Sequence, residues 1–271
     1  LCASPAPATE AAVQARMSLA RTYLEQAAHS MPLFLVLGNH DGEAGWVTNP
    51  AALDLWSVTA RKALFPNPEP DRFYSGSSDT AVGAGLRQNY YAFEWGDALF
   101  VALDPYTYTP RKPGANGWGW TLGQAQYHWL AQTLASSRAR FKFVFSHHIL
   151  GGSGQETRGG AAFGRLYEWG GRNADGTWGF DRERPGWTAP IQQLFVDNKV
   201  TAWFHGHDHL YAREELDGVV YQCVPQPGNT RGGTTSAQQY GYVSGRILGS
   251  PGSLRVTVGP EEAKVEFVRS A

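Results

Sequence analysis

FLVLGNHDGEAGW, residues 34–46, begins as an apolar run and stops abruptly at Gly-Asn-His-Asp-Gly. With Leu33 in front, LFLVL gives five consecutive apolar residues, the length and composition of a buried strand. Ligands bind at the carboxyl ends of the strands in open α/β sheets, which is where this polar cluster falls. The stretch therefore predicts a sheet-based fold with Asn39, His40 and Asp41 on the rim of a crevice.

Two more apolar runs end the same way. FKFVFSHH (141–148) closes on His147 and His148, and VTAWFHGHDHL (200–210) closes on His205, His207, Asp208 and His209. Six of the eight histidines fall in these three places. A single histidine at a strand end is ordinarily a hydrogen-bonded polar residue, but three such clusters converge on one crevice if their strands are parallel neighbours. Imidazole nitrogens beside an amide carbonyl and carboxylates suit Zn, Fe or Mn rather than Ca or Mg, which prefer oxygen shells. In extended chain, residues two apart point the same way, so the His-x-His of 207–209 can present both rings together.

Working outward, residues 9–28 place Val13, Met17, Ala20 and Leu24 at helical spacing behind a Thr9 cap. A second helix is predicted over 51–64, ended by the proline-rich FPNPEPD, and residues 65–88 read as irregular. YYAFEW and ALFVALD flank Gly96-Asp97 as a hairpin. Helices follow over 121–137, with Thr121 as cap, and over 189–197. From Tyr211 onward the chain reads as an antiparallel meander with Asp217-Gly218 as one turn. The segment 151–187, rich in Gly, Arg and aromatic residues, is too long for an ordinary connection and reads as an insertion or lid within one domain spanning 1–271. There is no internal repeat or low-complexity tract to mark a second domain.

Composition bounds the function classes. A net charge of −1 gives no basic surface for nucleic acid, and no stretch approaches the roughly 18 apolar residues of a membrane span. An acidic substrate would need local positive charge from side chains or metals. Cys2 and Cys223 are too few for a disulfide scaffold or a cysteine zinc module and read as a frayed and a buried thiol. The start of the chain lacks the basic and apolar regions of a secretory signal; compartment stays open, with a lean toward an extracytoplasmic setting. GGSGQ at 151–155 misses the last glycine of a nucleophile elbow, and neither the dinucleotide nor the P-loop glycine pattern occurs.

The ordered blocks resemble those of the metallophosphoesterases of the calcineurin-like and purple acid phosphatase superfamily. That signature runs Asp-x-His, Gly-Asp, Gly-Asn-His-Asp/Glu, a strand-end His, and Gly-His-x-His. Gly38-Asn39-His40-Asp41 matches the third block, VFSH ending at His147 the fourth, and Gly206-His207-Asp208-His209 the fifth. The resemblance implies an α/β (α+β) sandwich of mixed sheets flanked by helices, with an antiparallel C-terminal meander, and a phosphoric ester hydrolase acting on a small phosphorylated substrate. It implies that Asn39, His147 and His207 ligate one Fe, Mn or Zn ion and His209 a second. His40 would serve the leaving group with Asp41 as its orienting carboxylate, and His148 would face substrate. Mono- and diesterase activity are equally open.

One departure stands at the front. Residues 1–37 contain no aspartate, so the Asp-x-His and Gly-Asp blocks are absent; only Glu10, Glu25 and His29 could stand in, all in helix-like sequence. The chain is read as the C-terminal two-thirds of such a protein, with a missing N-terminal segment completing the sheet. Alone it is expected to hold one metal weakly and a dinuclear pair not at all. The rival reading is a catalytically inactive relative serving as a binding or structural module. Asp104 reads as a turn cap before it reads as a ligand, and His205 as packed. Arg158, Arg165 and Arg172 are candidate anion contacts, against the plainer reading of a solvated loop.

Overall fold

Thr9 starts the first helix as its spacing predicts: its Oγ1 accepts from the Ala12 amide at 3.3 Å and opens α1 (Glu10–Ala28). The computed structural model describes residues 6–47, 52–114, 116–152, 157–228 and 232–270; Cys2, Ala51 and the last three residues of GGSGQ lie outside them. Val13 and Met17 of α1 bury against Leu53 and Ala60 of α2 (Leu53–Leu64). The remaining helices are α3 (Gly123–Ser136), α4 (Tyr167–Gly170), α5 (Phe180–Glu183) and α6 (Ile191–Asp197). The predicted Thr121 cap lies one position further out: Leu122 is the N-cap, and Thr121 Oγ1 accepts from the Gly123 amide at 2.9 Å.

The strands are β1 (Ser75–Gly76), β2 (Thr80–Ala81), β3 (Gly85–Leu86), β4 (Tyr91–Trp95), β5 (Ala98–Ala102), β6 (Phe141–Ser146), β7 (Ala202–His205), β8 (Tyr211–Leu216), β9 (Val219–Cys223), β10 (Arg246–Leu248), β11 (Gly252–Val258) and β12 (Ala263–Arg269). Eight of them form one mixed sheet in the order β1-β4-β5-β6-β7-β9-β8-β10. The central pairs β5–β6, β6–β7 and β7–β9 are parallel, so their carboxyl ends share one side, with Ser146 level with His205. That register brings the histidine clusters behind β6 and β7 together.

Helices α3 and α6 cover one face, burying Leu130, Leu134 and Phe195 with Val101, Val144 and Trp203 of the sheet. On the other face, Leu254, Ala263 and Val265 of the β11–β12 hairpin cover Phe141, Phe143 and Phe204. The C-terminal strands divide between two sheets: β8 pairs antiparallel with both β9 and β10 and these extend the large sheet, while β11 and β12 pair antiparallel only with each other. Asp217 and Gly218, both at positive φ, turn the β8–β9 hairpin as their types predict.

The opening run departs from its prediction. Residues 33–37 join no ladder, because no strand among the described residues lies beside them. The side chain of Asn67 takes a strand's place on one edge: Leu35 N donates to its Oδ1 at 2.9 Å, and its Nδ2 donates to Leu35 O at 3.0 Å. Tyr91 Oη also donates to Leu35 O, at 3.0 Å. On the other edge the backbone groups of Phe34 and Val36 have no hydrogen-bond partner among the described residues. Phe34, Val36, Phe93, Phe100 and Phe145 line an open apolar groove of about 460 Å³ there.

The described part of the 151–187 insertion has its own short helices and is packed onto the core. Trp169 is fully buried against Trp203 and Phe195, and Glu168 is buried beside Arg184, accepting from the Leu122 amide at 2.8 Å. No helix among the described residues is long and apolar enough to cross a membrane.

Candidate metal centre

Three separated segments deliver three donor atoms to one point. His147 follows β6, His207 follows β7, and Asn39 sits on the turn after the 33–37 run. His147 Nε2 lies 2.9 Å from Asn39 Oδ1 and 3.2 Å from His207 Nδ1. Gly38 permits the approach, since a Cβ there would stand 3.2 Å from His147 Cε1 and Nδ1. Asp41 closes the same turn, its amide donating to Gly38 O at 3.0 Å and its Oδ2 accepting from Gly38 N at 2.8 Å. Behind the turn Glu43 is buried against Arg61, whose Nε donates to it at 2.6 Å.

The second turn is held harder. His207 and His209 both adopt positive φ, at 68° and 59°, a region that non-glycine residues enter only when the surroundings impose it. The buried Asp208 between them does so, accepting from Gly159 N and Tyr242 Oη at 2.7 Å each and pairing with Arg158 at 3.0 Å.

These residues line a cavity of about 350 Å³: Asn39, His40, His147, His148, His207 and His209, with Trp46, Trp120, Lys112 and Arg158 completing the wall. No carboxylate is among these described residues. Burial, reinforced by neighbouring His207, His40 and His209, pushes His147 down to about 3, so its ring is neutral near pH 7. Burial likewise holds His148 well below the ordinary imidazole range and lowers His209. His148 Nδ1 lies 2.7 Å from Ile149 O and must carry the proton, which leaves Nε2 a buried acceptor without a hydrogen-bond partner among the described residues. His205 is packed as expected, stacked on Trp203 at 4.2 Å with burial lowering it to about 4.

Neutral imidazole is the ligating form, so two imidazoles and an amide oxygen meeting at one point fit a single transition-metal ion. The second ion is not matched: His209 lines the cavity, but among the described residues no group of three or more His, Cys, Asp or Glu is placed to hold a metal, and no acid bridges. Asp104 does not fill that role. It is fully buried as a turn cap, accepting from Tyr106 N and Asn89 Nδ2 at 2.8 Å each, as its plainer reading predicts.

Of the three candidate arginines only Arg158 reaches the wall; Arg165 pairs with Asp217 at 2.8 Å and Arg172 donates to Gly176 O at 2.8 Å. Lys112, Trp46 and Trp120 escaped the sequence reading. Trp46 lay in the opening stretch, but Lys112, between an arginine and a proline, carries no local signal at all.

The family model described as calcineurin-like phosphoesterase matches residues 11–211. Among solved structures, that of PhoD superposes with a TM-score of 0.61 at 16% identity, over 98% of this chain and 58% of its own. The purple acid phosphatase PPD1 from yellow lupin (Lupinus luteus) seeds gives a TM-score of 0.53 at 18% identity, over 94% of this chain and 41% of its own. The chain thus spans about three-fifths or less of these structures, and the likeness is one of fold. Comparison with curated proteins gave no match.

Proposed function

The chain belongs to the calcineurin-like phosphoesterase family, and from that premise we propose that the protein is a metal-dependent phosphoric ester hydrolase acting on a small phosphorylated substrate. The single observation that carries this reading is the meeting of Asn39 Oδ1, His147 Nε2 and His207 Nδ1. These three would hold one Fe, Mn or Zn ion, and His209 would contribute to a second where acidic partners are supplied to it. Bound there, the metal would supply charge neutralisation for the phosphoryl oxygens and a lowered pKa for an attacking water. His40 supplies the proton to the departing alkoxide, with Asp41 fixing its loop, and His148 faces the substrate. Substrate choice between mono- and diesters rests with the wall and the 151–187 insertion.

The missing acids come, in this proposal, from a segment of polypeptide that adds to the free edge of Phe34 and Val36, covers the apolar groove and brings Asp-x-His and Gly-Asp to the cavity. The open backbone groups and the aromatic lining support it. A second reading, an inactive module, is favoured by the cavity wall, whose described residues include no carboxylate.

The test assays full-length protein with added Mn, Fe or Zn on a bis-aryl phosphodiester and an aryl phosphomonoester. Hydrolysis of at least one ester that is abolished by a strong chelator and by His207→Ala supports the proposal. Activity that survives both overturns it, and metal uptake without any hydrolysis favours the inactive module.

A further inference from the structure

Asp208 carries the 207–209 turn, and every described donor to its carboxylate comes from elsewhere in the chain. Arg158 Nη1 reaches Oδ1, and Gly159 N and Tyr242 Oη reach Oδ2. Two of these three residues belong to the 151–187 insertion and the third to the segment between β9 and β10.

The two suppliers interlock. The Arg158 guanidinium lies 4.4 Å over the Tyr240 ring, and its Nη1 also donates to His207 O at 3.3 Å. Gly159, at φ 101°, stands where a Cβ would meet Tyr240 O at 2.4 Å. Gly241, at φ 84°, stands where a Cβ would meet the Phe163 ring at 2.3 Å, so neither position admits a side chain. Beneath them Glu214 accepts from Ala161 N on one segment and from Ser244 Oγ on the other. The 158–163 corner and residues 240–244 thus form one packed unit around the ligand turn. The far end of the insertion is anchored separately, by Trp187 stacked on Tyr127 at 3.8 Å, and neither of those rings lines the metal cavity.

We propose that Gly159 and Tyr242 are positioning residues of the metal centre, and that docking of the 158–163 corner and metal uptake form one coupled equilibrium. The proposal rests on the metal-dependent reading above and deepens it. His207 and His209 sit in left-handed backbone, which non-glycine residues keep only under constraint, and the Asp208 clamp supplies that constraint. With the corner undocked, Asp208 loses two of its three donors, the turn relaxes, and the two rings cease to face the cavity together. Coupling is reciprocal, so whatever factor docking adds to metal affinity, metal adds to docking. The insertion is then part of the metal site rather than only a cover over it.

The experiment takes metal-stripped full-length protein, titrates it separately with Mn and Zn by calorimetry, and reads amide hydrogen exchange by mass spectrometry before and after loading. Tyr242→Phe removes one hydroxyl and keeps the ring; it should weaken metal binding by about 10- to 100-fold, the range for lost support of a ligand. Gly159→Ala, which pushes the corner off Tyr240, should weaken it at least as much. Trp187→Ala loosens the insertion at its far end and should leave the affinity within about twofold. Loading the unsubstituted protein should slow exchange across 158–163 and 240–244 and leave the β11–β12 hairpin unchanged, and the slowing should shrink in Tyr242→Phe.

Metal affinity that stays within about twofold of the unsubstituted protein in Tyr242→Phe and Gly159→Ala overturns the proposal. So does an equal loss in Trp187→Ala, which would make the effect one of general stability, and so does exchange across 158–163 that ignores metal. If Gly159→Ala fails to fold, Tyr242→Phe and the exchange pattern decide. An unsubstituted protein that takes up neither metal overturns this proposal and the metal-dependent reading together. Metal uptake with the expected coupling but no ester hydrolysis fails the phosphoesterase reading and keeps this one. Chelator-sensitive hydrolysis with indifferent variants does the reverse.

Discussion

Gly38 shows how a single missing atom serves the centre. A methyl group there would press on two atoms of the His147 ring at 3.2 Å. Gly38→Ala is expected to lower metal affinity roughly tenfold, as displaced ligand supports do, with little change in the urea midpoint; metal titration beside chemical denaturation checks both. Asp208 is the opposite case, a buried charge holding two histidines in unfavoured backbone. Asp208→Asn keeps the shape but loses the charge facing Arg158, and should cost about 2–4 kcal/mol in urea unfolding. At this scale the sequence was informative wherever chemistry was concentrated. Asn39, His147, His148, His207 and His209 all line the cavity, the histidines because the parallel register of β6 and β7 brings the segments that follow them together. Lys112 and Trp120 could not be found, since a loop residue is placed by contacts distant in sequence rather than by its neighbours.

Elements were legible where one periodicity or one turn decided them. The helix behind Thr9, the hairpin at Gly96-Asp97 and the turn at Asp217-Gly218 are local events, and each formed as its residues dictate. Pairing partners were not legible: nothing in VVYQC says that β9 will lie parallel to β7 while turning back on β8. That insertion of the hairpin carries Glu214 inward, where Ala161 N and Ser244 Oγ donate to it at 3.0 and 3.1 Å and no cation pairs with it among the described residues. Burial raises its carboxyl above the ordinary 4.5, so the folded state binds the proton more tightly than the unfolded. Stability from this group is therefore full below about 4.5 and declines as pH rises through the raised value. Glu214→Gln should flatten that part of the profile, read as urea midpoints between about pH 4 and 7.

For the whole molecule, the large sheet is covered by helices on one face and only partly by the β11–β12 hairpin on the other. Phe100, Phe145 and Phe93 line what is left, with Trp95 73% exposed at its margin. The isolated 271-residue chain should therefore bind an environment-sensitive apolar dye at this groove. Phe145→Glu should reduce the emission, read by fluorescence titration beside the unsubstituted chain.

The way Asn67 sits on Leu35 has a consequence for self-assembly. An extended run of apolar residues with exposed backbone is the commonest seed of fibre growth, because a fresh chain can stack on either flank. With a side-chain amide and a tyrosine hydroxyl already occupying Leu35, one flank is terminated in the manner of a chain-stopper on a growing polymer. The run is a template of functionality one: it can accept a single strand and then has nowhere further to grow.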